Sequence, residues 1–261
     1  MATRTYNPAV RVGNWIEDVQ LEEDIIKDFQ EKKDAGELLI QKTHNVMNNL
    51  LRQEKLSAQT ENKHLMFGSR INLCHIASGT VLSSKVSELK SRTSSQLKSP
   101  CDMSASLMTN PCPRNVFQIC SADGEILKKP LCYGQKFVLK TLPGPGGELS
   151  LWSDRATFTK CAAKSRLPVV QLHDDSSYNV VWQFHCRNPL IRMEMEGNPV
   201  VVGDTIILNH CKTNQNLACM SQYQRRTPYG QEMEVCCKTF LDSHKAETEE
   251  NLWTIVVNKP E

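Results

Sequence analysis

No stretch of this 261-residue chain approaches the roughly 18 consecutive apolar residues needed to span a bilayer. The first thirty residues hold no apolar run able to serve as the core of a secretory signal, and the cysteine count, eleven, is odd. The expectation is therefore a cytoplasmic protein with reduced thiols rather than a disulfide framework. Net charge is nearly absent too: 31 basic against 29 acidic residues leave +2, which excludes a field strong enough to select nucleic acid or an anionic membrane. No two cysteines are spaced as C-x-x-C, the pairing a structural zinc site would want. Partner choice has to come from shape and local contacts.

What is present falls into two textures. The opening "MATRTYNPAVRVGNW" reads as extended, broken by Pro8 and Gly13, with Tyr6, Val10, Val12 and Trp15 as its apolar content. "EDVQLEEDIIKDFQEKKDAG" then predicts a helix, because Leu21, Ile25 and Phe29 recur at spacing four. Acidic Glu22, Glu23 and Asp24 crowd its first turns, Lys32 and Lys33 its last, and Gly36 is the expected stop. A second helical or mixed stretch, "ELLIQKTHNVMNNLLRQ", carries Leu39, Val46, Met47, Leu50 and Leu51. A helix with one apolar stripe and a charged opposite face lies either on its own domain or on another protein.

From residue 65 onward, short apolar runs alternate with Gly, Pro, Ser and Asn, the pattern of strands and turns. Compared with itself, the chain yields "HLMFGSRINLCH" (64–75), "PLCYGQKFVLKT" (130–141) and "PVVVGDTIILNH" (199–210). Each runs apolar residues into a glycine and then an alternating strand. Leu82, Leu149 and Leu217 follow Gly68, Gly134 and Gly203 by 14, 15 and 14 residues, each after a turn ("ASGT", "GPGG", "TNQN"). "NVFQIC", "NVVWQF" and "NLWTIV" close the copies, with Asn115, Asn179 and Asn251 lying 47, 45 and 48 residues beyond the glycines.

A four-stranded unit cannot cover its own apolar face or its edges, whereas three packed about an axis can. A propeller would need at least four blades. The expected fold is thus mainly β, a twelve-stranded β-trefoil over residues 62–258 with repeats at about 62–125, 126–190 and 191–258, preceded by a largely helical arm, 1–61. Gly68, Gly134 and Gly203 supply a backbone geometry that side chains hinder, and Phe117, Trp182 and Trp253 are the expected core aromatics. The Ser-rich stretch 86–112 reads as an irregular loop.

His210 and Cys211 are adjacent and Cys236 and Cys237 form a pair, so a thiol nucleophile is conceivable. The repeat argues against it, since the position of His210 holds His75, preceded by Cys74, in the first copy but Thr141, preceded by Lys140, in the second. His210 is then a turn or partly buried residue, and the cysteines small core residues, with Cys236 and Cys237 on opposite faces of one strand. "PGPGGE" (143–148) lacks the Lys-Ser/Thr of a phosphate loop and reads as a hairpin turn. Trp152 with Asp154 in "LWSD" resembles half of a glycan site, the alternative function. Candidate partner contacts are Tyr6, Arg11 and Trp15 on the arm, and Arg225 and Arg226 in a loop flanked by Tyr223 and Tyr229. No residue is assigned to catalysis, a cofactor or a metal.

The third copy, with "VVVGDTIILNH", "NQNLACM", "TPYGQEMEVCC" and "NLWTIVV" in that order, resembles the MIR-type β-trefoil unit; the other two keep the frame and lose most of the polar signature. Over essentially its full length, through "YNPAVRVGNWIEDVQLEED", "GELLIQK" and "LKTLPGPGGELSLWSD", the chain is similar to the cilia- and flagella-associated protein 161 family. That resemblance implies a non-enzymatic microtubule inner protein in the cytoskeleton of cilia and flagella. It would bind inside the A-tubule of the axonemal doublet, contacting tubulin near the seam and other luminal proteins, without cofactor, membrane or nucleic acid.

Overall fold

The computed structural model describes residues 15–58, 62–86, 96–122 and 129–258. The chain divides into two compact units, Met1–Lys42 and Thr43–Glu261. In the first, helix α1 runs from Trp15 to Asp34. Trp15 therefore opens the helix instead of ending an extended segment. Its C-terminus closes as the sequence indicates: Gly36 adopts φ 69°, the Glu37 N–H donates to the Lys32 carbonyl at 2.8 Å and the Gly36 N–H to that of Lys33 at 3.2 Å.

Helix α2, Leu39–Leu50, straddles the boundary between the units. Its second half carries Val46 and Leu50 into the main core of the second unit. Leu56 follows, buried against Val116 and Leu142, and the Glu54 N–H donates to the Pro111 carbonyl at 3.0 Å. The compact boundary consequently falls at Lys42/Thr43, earlier than the 61/62 division drawn from composition. None of the described helices is long and apolar enough to cross a membrane.

The second unit is a closed antiparallel barrel of twelve strands in three sets: β1 Arg70–His75, β2 Val81–Ser84, β3 Cys101–Ser106 and β4 Phe117–Ser121; β5 Lys136–Thr141, β6 Ser150–Ser153, β7 Val170–His173 and β8 Trp182–Cys186; and β9 Thr205–His210, β10 Gln215–Thr227, β11 Gly230–Cys237 and β12 Trp253–Val256. Each first strand pairs with the last strand of its own set: β1 with β4, β5 with β8, β9 with β12. Each also pairs with the last strand of the preceding set: β5 with β4, β9 with β8, β1 with β12. Those six links form a ring. The middle strands make hairpins β2–β3, β6–β7 and β10–β11, and β3 bridges to both β7 and β11.

Three tight turns lead into the first strands. The Ser69 N–H donates to the Met66 carbonyl, Gln135 to Cys132 and Asp204 to Val201, at 3.2, 3.2 and 3.4 Å. Gly68, Gly134 and Gly203 take the third position with φ 85°, 75° and 92°, the left-handed geometry a type II turn demands there. Just before these turns, three backbone amides form a closed cycle. The Leu65 N–H donates to the Val200 carbonyl (2.8 Å), Val200 to Leu131 (2.8 Å) and Leu131 to Leu65 (2.7 Å).

Phe117, Trp182 and Trp253, which start the closing strands, are fully buried in the main core. The indole N–H of Trp182 donates to the Leu151 carbonyl at 2.8 Å and that of Trp253 to the Leu217 carbonyl at 3.1 Å, so neither buried donor is left unmet. The closing asparagines tie turns: Asn115 accepts from the Cys112 N–H, and Asn251 accepts from the Phe240 N–H while donating to the Leu217 and Lys238 carbonyls.

Two expectations need correction. The Ser-rich stretch 86–112 contains β3, in which Cys101, Met103 and Ala105 alternate into the core between Asp102, Ser104 and Ser106. Its small residues hid the alternation. In the second set the return leucine is Leu151, not Leu149. Lys140 pairs with Ser150 as Cys74 does with Val81, which makes Leu151 the counterpart of Leu82. The 3-10 turn Gly144–Gly146 lengthens that hairpin, and Leu149 is instead the buried residue at the turn.

Candidate docking surfaces

On the arm, α1 buries no residue of its own. Trp15 is 83% exposed, and Val19, Ile25, Ile26 and Phe29 are all more than half exposed. On a helical projection these residues gather on one side, opposite Glu23, Asp24, Lys27 and Glu31. Tyr6 and Arg11 lie outside the described residues.

Arg225 and Arg226 are not in a loop: they belong to β10, opposite Glu232 and Gln231 of β11. A register shift between Met220 and Gln224 bulges the strand just before them. Arg226 is exposed; Arg225, half-buried, lines a cavity of about 140 Å³ with Asp102 of β3, Gln171 of β7, Glu234 of β11 and Lys160. All three hairpins thus contribute, the third with both of its strands.

Around this cavity the carboxylates are engaged. Glu234, 3% exposed, accepts the backbone N–H groups of Lys164 and Ser165 at 2.9 Å each, which clamps the 159–165 turn. Asp102 accepts from the Gln171 amide at 2.8 Å. Glu232 takes the Arg114 guanidinium at 2.7 Å and the Ser104 hydroxyl at 2.6 Å, and both charged side chains are 1% exposed. Arg114 also donates to the Ser84 carbonyl and stacks 3.7 Å from the centre of the Tyr229 ring, whose phenol burial pushes up to about 12. The Arg225 side chain, by contrast, makes no ion pair or hydrogen bond among the described residues. Burial, and secondarily the Arg225 charge, hold the neighbouring Lys85 ammonium below its ordinary pKa.

Sequence inspection pointed to Arg225 but missed Arg114, Glu232 and Glu234 as a connected set. Glu232 lies in the quoted "TPYGQEMEVCC", yet its partner is 118 residues away.

The thiol reading finds no support in the geometry. Both ring nitrogens of His210 are occupied, by the Thr213 hydroxyl and the Asn179 carbonyl at 2.8 Å each, and the ring lies 4.7 Å from that of Trp182. His75 repeats this with Ser78, the Glu249 carbonyl and Trp253. Burial pushes the Cys211 thiol up and that of Cys237 up to about 11, away from the reactive thiolate. Cys236 and Cys237 point into different clusters, on the two faces of β11. Trp152 offers no platform for a sugar: it is 5% exposed and its ring stacks 4.5 Å from His173, while Asp154 pairs with Lys212 at 3.2 Å. Among the described residues no three His, Cys, Asp or Glu side chains are grouped to hold a metal ion.

Solved structures share this barrel at low identity. An SDF2-like protein from Arabidopsis thaliana superposes with TM-score 0.54 at 15% identity, covering 76% of this chain and 99% of that one. A Caenorhabditis elegans protein of unknown function gives 0.57 at 15%, covering 76% and 98%. These likenesses concern fold alone. Relatives by sequence are nearer: cilia- and flagella-associated protein 161 of Danio rerio is 38% identical over 98% of this chain and 89% of its own length. That of Bos taurus is 38% identical over 100% and 84%. The profile of the cilia- and flagella-associated protein 161-like domain matches residues 42–258, and the chain belongs to this family.

Proposed function

We propose that the chain is a structural microtubule inner protein of ciliary and flagellar doublets, bound in the A-tubule lumen and stabilising the axoneme for ciliary motility. On this reading it catalyses nothing. It ties the luminal wall, tubulin near the seam, to other inner proteins. The observation that carries the proposal is α1: an apolar face led by Trp15 with no buried residue, on an arm that the curated relatives share, since their similarity extends over 98–100% of this chain. A helix leaving that much apolar surface in water is built to be covered.

We read the barrel as a β-trefoil of three MIR-like units, about 62–125, 126–190 and 191–258, preceded by the N-terminal arm, 1–61, whose docking part is α1. The threefold recurrence of ring pairing, glycine turn and buried aromatic supports it. Tyr6, Arg11 and Trp15 on the arm, with Arg225 and Arg226 on β10, are the contacts we assign to partners. A reconstruction of the native ciliary doublet tests the whole: the barrel should appear at regular intervals on the luminal wall of the A-tubule. Release of the protein by the same salt wash that removes dynein arms from the outer surface would sink it.

A further inference from the structure

We propose that the cavity beside Arg225 receives a carboxylate side chain from an acidic protein segment, making this face of the barrel the dock for an acid-rich partner. The inference deepens the docking role above and rests on it. Its basis is an imbalance of hydrogen-bond partners. The carboxylates here have partners within the fold: Glu232 binds Arg114 and Ser104, Glu234 binds two backbone N–H groups, and Asp102 takes the Gln171 amide. Arg225 has none.

The cations are also concentrated. Lys160 lines the cavity with Arg225, Lys85 lies near enough to Arg225 to feel its charge, and Lys164 and Arg166 are exposed on the adjoining turn, where the Lys164 ammonium donates to the Gln224 carbonyl next to Arg225. A half-buried guanidinium without a counter-ion has lost part of its hydration and gained no attraction in return; an incoming carboxylate supplies that attraction, in the two-pronged geometry guanidinium favours.

Size selects the ligand class. A volume of about 140 Å³ admits a carboxylate and its short stem but is well below the roughly 300–1,000 Å³ of ordinary small-molecule sites. One side chain enters while the segment bearing it lies across the basic rim. A net charge of only +2 gives the chain no general attraction for nucleic acid, so this local surplus is suited to a local acidic patch.

The test uses the full chain and two fluorescent peptides of equal length, one rich in glutamate and one with glutamine at the same positions, read by anisotropy. The glutamate peptide is expected to bind, more weakly as salt rises, and the glutamine peptide to stay free. Arg225→Glu should weaken binding at least about tenfold, as reversing a partly desolvated charge contact does. Arg187→Glu, the same charge change at an exposed site elsewhere on the barrel, should leave it nearly intact. Arg225→Gln, which removes the charge without reversing it, should show a smaller loss in the same direction with an unaltered melting curve. Equal binding of the two peptides, or equal loss in Arg225→Glu and Arg187→Glu, overturns the proposal. Displacement of the peptide by inorganic phosphate at submillimolar concentration overturns it as well, in favour of a free-anion site. Silent peptides with the protein still found in the doublet lumen would remove this inference alone, whereas peptide binding with the protein absent from the lumen would remove the docking role.

Discussion

Gly203 sits at φ 92° with no atom within 4 Å of where a Cβ would stand, so its demand is conformational and not one of space. Gly203→Ala should cost about 1–3 kcal/mol, the strain of left-handed backbone without any clash, and lower the thermal midpoint while keeping a cooperative transition. An unchanged midpoint would mean the turn relaxes freely. His75 and His210 act at the same scale. A carbonyl can only accept, so Nε2 of each carries a proton, and in the neutral ring Nδ1 accepts from the neighbouring hydroxyl. Burial holds both below the ordinary 6.5, and His185 likewise. The unfolded chain therefore binds protons that the fold refuses, and stability is full above about pH 6.5 and falls as pH drops from there through the lower folded values. His210→Thr, which copies the Thr141 of the second set, should flatten the fall in melting temperature between neutral and mildly acid pH. A slope as steep as the parent's would show that His210 does not contribute.

Among the elements, β11 is held by more than its ladder. The Glu232–Arg114 pair fixes it to the turn before β4 with both charges out of water. Glu232→Gln leaves the guanidinium buried beside a neutral amide and should cost about 3–5 kcal/mol in a denaturant titration. Replacing both residues together by apolar ones of similar volume should recover most of that loss. The two helices differ in what a reader can extract from them. The spacing of Leu21, Ile25 and Phe29 made α1 legible, and Gly36 marked its end. Periodicity alone could not say that Val46 and Leu50 of α2 join the barrel core while no α1 residue is buried, because both stripes are apolar and only tertiary packing separates them. β3 was illegible for a different reason: Cys101, Met103 and Ala105 do alternate with Asp102, Ser104 and Ser106, but without a β-branched or aromatic residue and inside a Ser-rich run, so the period is weak.

For the molecule as a whole, the threefold plan was readable because its constraints are local: each type II turn into a first strand takes glycine at its left-handed position, and each set of strands buries one large aromatic. The cavity was not readable. Asp102, Gln171, Arg225 and Glu234 come from three different hairpins, and nothing in the spacing of such distant polar residues reveals that they meet. The Leu149 assignment failed in a related way, since an insertion inside one turn shifts a register that sequence comparison assumes constant.

The cycle through Leu65, Leu131 and Val200 has no free end. Each of the three residues gives its proton to one neighbour and receives from the other, so that six polar valences at the mouth of the barrel are settled without water or a capping segment. No member can be released by fraying, because opening one link requires two sets of strands to part. In native-state hydrogen exchange the three amides should therefore leave at a common rate set by global unfolding, although they lie scores of residues apart. Faster exchange at any one of them would show that its repeat can open by itself.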